Sequence, residues 1–315
     1  MKITVILCTY KRCQSLAKAL GSVALSVMPG SAEWDVLVVD NNSPDQTRAV
    51  VKDFSSRYPG RFRYVFEGRQ GKSHALNSGI REANADVLAF MDDDVQVDPK
   101  WLQNLTAVLS DERWSGSGGR ILPEGGFEPP KWLETKARYA LAPLALFDLG
   151  IESCELYEAP FGTNMAYRSE MFSKHGSFRT DLGPQPGFEM KNEDVEFGSR
   201  LLAAGEHLWY EKSAVVYHSM PLSRIQPSYF LSWWHIKSRA EIREHGIRKG
   251  TKWFLAGVPL YLLRAFCAWT LRWVFSIDPG RRFSRKVKVW SLAGMIEECR
   301  RGTLASSQVS NGESG

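Results

Sequence analysis

The 315-residue chain is 43% hydrophobic and 24% charged, an ordinary globular balance that excludes a disordered chain and allows one large α/β domain with an appendage, or two domains. Its net charge of +5 conceals a division: residues 221–302 carry 16 Lys/Arg against 5 Asp/Glu, while the rest carries 24 against 30. A basic segment behind an acidic body points to an anionic surface as that segment's partner.

In chain order, MKITVILCTY reads as a first strand over 3–9 rather than a signal peptide, since its apolar run is short. Residues 13–27 place Leu16, Ala19, Leu20, Val23 and Val27 at helical spacing. A second strand is expected at 34–40, a helix to about Tyr58, a third strand at 61–67, and a helix over 73–83 after the loop GRQGKS. A fourth strand at 86–92 precedes a helix over 99–110 with Pro99 at its first position. This β-α alternation implies a mainly parallel sheet flanked by helices. Residues 115–132, rich in Gly and Pro, read as loop with a short strand, and 133–159 are weakly patterned. A helix over 193–205 ends at Gly205, and a strand over 207–218 ends at His218. The five cysteines, Cys8, Cys13, Cys154, Cys267 and Cys299, lack CxxC or metal-ligand spacing and read as reduced thiols of a cytosolic protein.

In an open parallel sheet, ligands bind outside the carboxyl ends of the strands. Thr9–Arg12, Asp40–Asn42, Glu67–Lys72 and Asp92–Asp94 all fall there. The run FMDDDVQVDP puts three consecutive carboxylates at the end of a buried strand, and like charges so close repel. A hard divalent cation, Mg²⁺ or Mn²⁺, shared between such carboxylates and a substrate phosphate would remove that repulsion. A solvated acidic turn near the dipole of the following helix is the alternative. NEDVEF offers Glu193, Asp194 and Glu196 at a helix start, where they serve either as acid-base groups or as plain N-terminal capping.

CTYKR, VVDNNSPD, QGKSHALNSGI, MDDDV, FGTNMAYR and NEDVEFGSRL, with His218 beyond, occur in order over about 210 residues. Together they resemble the family-2 glycosyltransferases of GT-A fold. The resemblance implies a catalytic domain over 1–220, with a nucleotide-binding half at 1–112 and an acceptor-binding half at 113–220. It implies an inverting transfer from a nucleoside diphosphate sugar, a UDP-sugar foremost, to a hydroxyl of a glycan or lipid-linked acceptor in polysaccharide or glycolipid assembly. By that resemblance Thr9, Tyr10, Arg12, Asp40, Lys72, Asp92 and Asp93 contact the nucleotide. Asp94 is the direct metal ligand, Asp92 faces the ribose or the metal's water shell, and His218 is a further ligand, with Mn²⁺ or Mg²⁺ as cofactor. Asp194 is the base, and Gly162, Asn164 and Glu193 lie by the sugars. For Asp40 an Asx-turn or helix cap, for Lys72 a solvated loop lysine, for Asn77 a tie between loops, for Arg168 a structural ion pair, and for His218 a hydrogen-bonded strand-end histidine are the alternatives.

The segment 253–277 is apolar but interrupted by Arg264 and Arg272, and its longest charge-free run is 11 residues. A span needs about 20. With RRFSRKVK following, 221–302 reads as a basic, Trp-rich helical extension. Its stretch 253–288 either binds the cytoplasmic face of the inner or plasma membrane as an interfacial helix, or packs on the domain. No nucleic acid is expected. Residues 303–315 read as a disordered tail. The QxxRW motif of processive synthases is absent, which favours transfer of one sugar per encounter. A glycine-free CTYKRC disfavours a sugar nucleotidyltransferase, and the absence of GxGxxG disfavours a dehydrogenase. A saccharide- or nucleotide-binding module without catalysis is the non-enzymatic alternative.

Overall fold

The computed structural model describes residues 1–28, 32–133, 135, 140–150, 152–186, 188–189 and 192–312, with side chains through Gly302 except at 188–189. The chain divides into two compact units: Met1–Phe127 with Ala145–Phe188 and Glu193–Met220, and Glu128–Leu144 with Glu189–Asn192 and Pro221–Gly315.

In the first unit, β1 (Lys2–Thr9), β2 (Glu33–Asp40), β3 (Phe62–Phe66) and β4 (Val87–Asp92) alternate with α1 (Cys13–Ala24), α2 (Thr47–Arg57) and α3 (Lys72–Glu82). They pair in parallel in the order β3-β2-β1-β4. β1 is apolar on both faces, with Ile3, Val5, Ile6 and Leu7 all fully buried, as a covered parallel sheet requires. The α1 stripe Leu16, Ala19, Leu20 and Val23 is also fully buried. Each buried Leu or Val of this kind contributes about 1.5–3 kcal/mol. α3 lies so close to the sheet that a Cβ on Gly79 would stand 2.7 Å from Ile6 Cγ2.

There follow β5 (Val95–Val97), α4 (Trp101–Ala107), β6 (Gly116–Pro123), β7 (Cys154–Leu156), β8 (Asn164–Arg168) and α5 (Glu170–His175). The short strands β9 (Pro184–Gln185) and β10 (Phe188–Glu189), then α6 (Glu193–Ala203) and β11 (Leu208–His218), complete the unit. Among the described residues one nine-stranded sheet runs β3-β2-β1-β4-β8-β6-β11-β5, with β7 on β11. β8 is antiparallel to both β4 and β6. The expected α/β sheet flanked by helices is therefore what forms, parallel throughout its first four strands.

Three local expectations change. The Gly-rich stretch 115–132 contains an eight-residue interior strand, β6, not a loop with a minor strand. Its glycines are packing sites: a Cβ on Gly116 would stand 2.3 Å from Tyr167, and one on Gly118 2.3 Å from Pro160. The helix expected from Pro99 starts at Trp101, because Asp98 closes a turn first, accepting from the Lys100 and Trp101 amides. The apolar stretch 253–277, expected as an interfacial helix that Pro259 either kinks or starts, is a hairpin followed by a helix that begins after Pro259.

The second unit is built on α7 (Pro227–His245), the hairpin β12 (Phe254–Leu255) and β13 (Val258–Pro259), α8 (Leu260–Val274) and α9 (Pro279–Gly312). Pro259 caps α8 and so marks its start. Glu298 on α9 accepts from both Arg239 and Arg243 of α7. α9 carries its backbone through most of the stretch read as a disordered tail, 303–315, whose last three residues lie outside the described residues. Among the described residues no helix is long and apolar enough to cross a membrane.

Candidate active site

Register brings the polar strand ends together. Thr9 pairs with Asp40 across β1 and β2, and Cys8 with Asp92 across β1 and β4, so three carboxyl ends finish level. The loops leaving β1 and β2 are held in unusual backbone: Lys11 and Asn42 have φ of 56° and 65°. The Lys11 amide donates to Ser43 Oγ at 3.0 Å, which locks one loop to the other. Non-glycine residues with positive φ concentrate where structure is fixed for function.

The three aspartates have separate partners. Asp92 accepts from Lys72 Nζ at 2.6 Å and from Thr163 Oγ1 at 2.8 Å. Burial alone would raise its pKa, but Lys72 and these two donors hold it below the usual carboxylate range. Asp93 is buried, accepting from Thr9 Oγ1 at 2.7 Å and from Arg12 Nη1 at 3.0 Å. Burial outweighs these bonds and pushes it up to about 6. Asp94 accepts from the same Arg12 nitrogen at 2.8 Å on Oδ2, while its Oδ1 lies 3.5 Å from His218 Nε2. β5 makes that approach possible: its antiparallel pairing with β11 sets His218 opposite Val95.

Opposite them lies the start of α6. Glu193 is buried, with Oε1 at 3.7 Å from Lys72 Nζ. Burial first, and then neighbouring Asp194, raise Glu193 to about 7 against the pull of Lys72. Lys72 itself is desolvated, yet Asp92, Glu193 and Asp194 outweigh that cost and hold it charged above the usual lysine range. Asp194 accepts the Gly162 amide on Oδ2 at 2.6 Å and the Val195 amide on Oδ1 at 2.8 Å. Adjacent residues Gly162 and Thr163 thus touch Asp194 and Asp92 respectively, so both carboxylates border one short loop.

The sequence pattern has a counterpart in known proteins: the family model for glycosyl transferase family 2 matches residues 4–176, more than half of the chain. The chain belongs to glycosyl transferase family 2. The glycosyltransferase AglE of Haloferax volcanii is 26% identical over 219 residues, 69% of this chain and 66% of that protein, just under two thirds of its length. The succinoglycan biosynthesis protein ExoM of Rhizobium meliloti is 27% identical over 282 residues, 85% of this chain and 83% of that protein. Among solved structures, the mannosyltransferase PcManGT from Pyrobaculum calidifontis, in complex with GDP-Man and Mn²⁺, superposes with a TM-score of 0.56 at 17% identity. It covers 99% of this chain and 79% of its own, which establishes the GT-A fold.

Within this glycosyltransferase the remaining expected site residues divide. Tyr10 is exposed at the mouth of the strand ends. Asp40 is buried, accepting from Tyr64 at 2.8 Å and from the Ser43 amide at 2.9 Å. The second bond is a local side-chain-to-backbone contact that spans three residues, one more than the Asx-turn alternative requires. Asn164, expected by the sugars, is fully buried. Its amide accepts from Trp101 at 2.8 Å and donates to the Arg120 and Ala214 carbonyls, so it spends its hydrogen bonds on the interior. Thr163, its neighbour, is the residue that meets Asp92. Asn77 ties its helix to Phe178 through two hydrogen bonds. Arg168 donates to the carbonyls of Trp114, Leu109 and Asp111 rather than to a carboxylate. Thr163 and Tyr64 escaped the sequence reading. Thr163 sits inside FGTNMAYR and was recoverable from it, whereas Tyr64 depends on β2–β3 pairing.

Among the described residues no group of three or more His, Cys, Asp or Glu is arranged to hold a metal ion. The donor chemistry nevertheless suits a hard divalent ion, because an Asp94 oxygen and a His218 nitrogen converge. The other Asp94 oxygen is already engaged by a cationic guanidinium. Mg²⁺ and Mn²⁺ commonly take one or two protein ligands and complete their shell with water and substrate phosphate.

Proposed function

We propose that this glycosyltransferase moves one sugar from a nucleoside diphosphate sugar, foremost a UDP-sugar, to a hydroxyl of a glycan or lipid-linked acceptor, with inversion at the anomeric carbon. The observation that carries the reading is the pairing of a positioned carboxylate, Asp194, with the Asp92–Asp94 cluster across the Gly162–Thr163 loop. An attacking hydroxyl must lose a proton as it bonds to carbon, and Asp194 would take it. The Gly162 and Val195 amides hold the Asp194 carboxylate in place. With one such base and no second carboxylate serving as a sugar nucleophile, a single in-line displacement through an oxocarbenium-like transition state is the economical route.

Asp94 and His218 would hold Mn²⁺ or Mg²⁺, with Asp92 toward the ribose or the water shell. The ion's chemistry, when bound, is to neutralise the charge gathering on the leaving diphosphate. Arg12 and Lys72 stand beside the same carboxylates and would meet phosphate oxygens. Thr9, Tyr10, Asp40 and Asp93 would frame the nucleotide, Asp40 and Asp93 through the loops they hold. Glu193 and Gly162 would border the acceptor. The acceptor would belong to polysaccharide or glycolipid assembly, with the enzyme at the cytoplasmic face of the membrane through 253–288.

The test is release of nucleotide from a panel of nucleotide sugars with Mn²⁺, in parallel for wild type, Asp94→Ala and Asp194→Asn. Metal-stimulated turnover lost in both variants, with nucleotide binding kept in Asp194→Asn, is the expected result. Binding without turnover by the wild type on every donor and acceptor would leave the non-catalytic module instead.

A further inference from the structure

We infer that the tip of the β12–β13 hairpin and the outer side of α8 form one apolar surface, bordered by basic side chains, that docks on an anionic lipid bilayer. This deepens the membrane reading above and rests on it.

Eight of the seventeen large apolar side chains exposed among the described residues fall within 253–277. Isolated exposed apolar residues are normal, but a concentration of this kind marks an interaction surface. At one end, Trp253 is 76% exposed and Leu255 63%, with Phe254 between them. The tip is held in shape: Ala256 and Gly257 both take positive φ, 49° and 75°, as a two-residue hairpin turn of this type demands. Leu255 pairs with Val258, and the Leu260 amide donates to Trp253 O at 2.9 Å, which fastens the hairpin to the first turn of α8. Val258 and Leu262 are buried beneath, with Leu292 and Cys299. An apolar tip built on a fixed base loses little freedom on docking.

Along α8 and its C-cap, Tyr261, Arg264, Ala268, Leu271 and Phe275 recur at the spacing of one helical stripe, and all five are exposed. The helix of 15 residues is about 22 Å long at 1.5 Å per residue, so the stripe continues the hairpin tip over that distance. At its far end Phe275 is 78% exposed and Ile277 96%, values no folded interior explains.

Charge selects the partner. Residues 245–296 hold ten Lys/Arg and a single acid, Asp278, whose carboxylate accepts the Arg281 amide at the start of α9. Arg264 and Arg272 stand on α8 itself, and Arg281 and Arg282 follow it. A second copy of the chain would bring the same positive field and be repelled. A polynucleotide would meet the cations but leave Trp253 and Ile277 in water. An anionic bilayer satisfies both, taking the apolar side chains at the acyl boundary and the arginines at the headgroups, to which long cationic side chains reach from a buried stem.

The test uses the full chain with sedimentable vesicles of phosphatidylglycerol in phosphatidylcholine, against pure phosphatidylcholine, at low and high salt. Three proteins are compared: wild type, Trp253→Ser/Ile277→Ser and Arg281→Glu/Arg282→Glu. Wild type is expected on the anionic vesicles, with a blue-shifted tryptophan emission quenched by brominated lipid. Each double variant is expected to bind roughly tenfold or more weakly. No wild-type binding at low salt overturns the inference, as does binding that the apolar variant leaves unchanged. Preferential binding to an oligonucleotide duplex, lost only in the charge variant, would assign the surface to polynucleotide. A dimer dissociated by the apolar variant would assign it to a second copy. Nucleotide-sugar turnover is measured in every arm. Turnover without docking refutes this surface and spares the transferase reading, while docking without turnover does the reverse.

Discussion

Replacing Glu193 with Gln tests the electrostatics of the site without removing the base. Glu193 opens α6, is 3% exposed, and is raised from 4.5 to about 7, by burial first and Asp194 second. A raised carboxyl binds its proton more tightly in the fold than in the unfolded chain. Its contribution to stability is therefore fully present below 4.5 and is lost as pH rises through 7. At 1.36 kcal/mol per pH unit, the gap amounts to about 3 kcal/mol. Gln copies the protonated shape and cannot ionise. The stability difference between Glu193→Gln and wild type should hold constant below pH 4.5. It should then move in the variant's favour by about 3 kcal/mol across 4.5–7, and level off above. Urea unfolding of ligand-free protein at a series of pH values reads this difference directly, and groups titrating alike in both proteins cancel. Lys72→Met, which removes the cation that favours ionised Glu193, should carry the window to higher pH. A difference that stays flat from 4.5 to 8 would mean Glu193 is ionised in the fold, and the account of the buried Lys72–Glu193 contact would be wrong.

Asp194→Asn should lower sugar transfer by about 10²–10⁴-fold, the usual contribution of a positioned proton acceptor, while the KM for the nucleotide sugar changes by a few-fold at most. Gly162→Ala would put a Cβ 2.8 Å from Asp194 Oδ2. Steady-state kinetics should show kcat reduced about tenfold with the melting temperature barely moved, since the clash displaces a side chain at the pocket and not the core. Gly119→Ala has the opposite signature. Its Cβ would stand 2.1 Å from Ala214 O and 2.5 Å from Asn164 Nδ2, both fixed groups. Thermal unfolding should report a loss of about 1–3 kcal/mol or more, the cost of overpacking.

Much of the catalytic unit could be read before folding because its logic is local. β1, β2 and β4 are covered on both faces and so appear as apolar runs, and α1 shows its buried stripe at i, i+3, i+4 and i+7. The rest depends on partners that local pattern does not contain. β6 looks like a loop because Gly116, Gly118 and Gly119 are required by Tyr167, Pro160 and Ala214, all more than forty residues away. The resemblance carried by FGTNMAYR puts Asn164 by the sugars. In the fold it begins β8 and turns inward to Trp101 and two carbonyls, leaving Thr163 at the pocket. The hairpin at 254–259 was hidden inside an apolar stretch because Ala256 carries the positive φ that a second glycine would have advertised.

The three aspartates show how such non-local partners settle a question the sequence raises. Adjacent carboxylates at a strand end would repel one another if they shared one environment, but successive residues diverge as the strand ends. Asp92 is given Lys72 and Thr163, Asp93 is given Thr9, and Arg12 bridges Asp93 to Asp94. The compensation is uneven. Asp92, beside an ammonium ion, is held below its ordinary range, while Asp93, the more buried, rises to about 6. Two cationic side chains, Arg12 and Lys72, stand against three aspartates, so they offset the cluster only in part. On the reading proposed above, an incoming diphosphate would add to that negative charge, and Asp94 beside His218 is where a divalent ion would offset it.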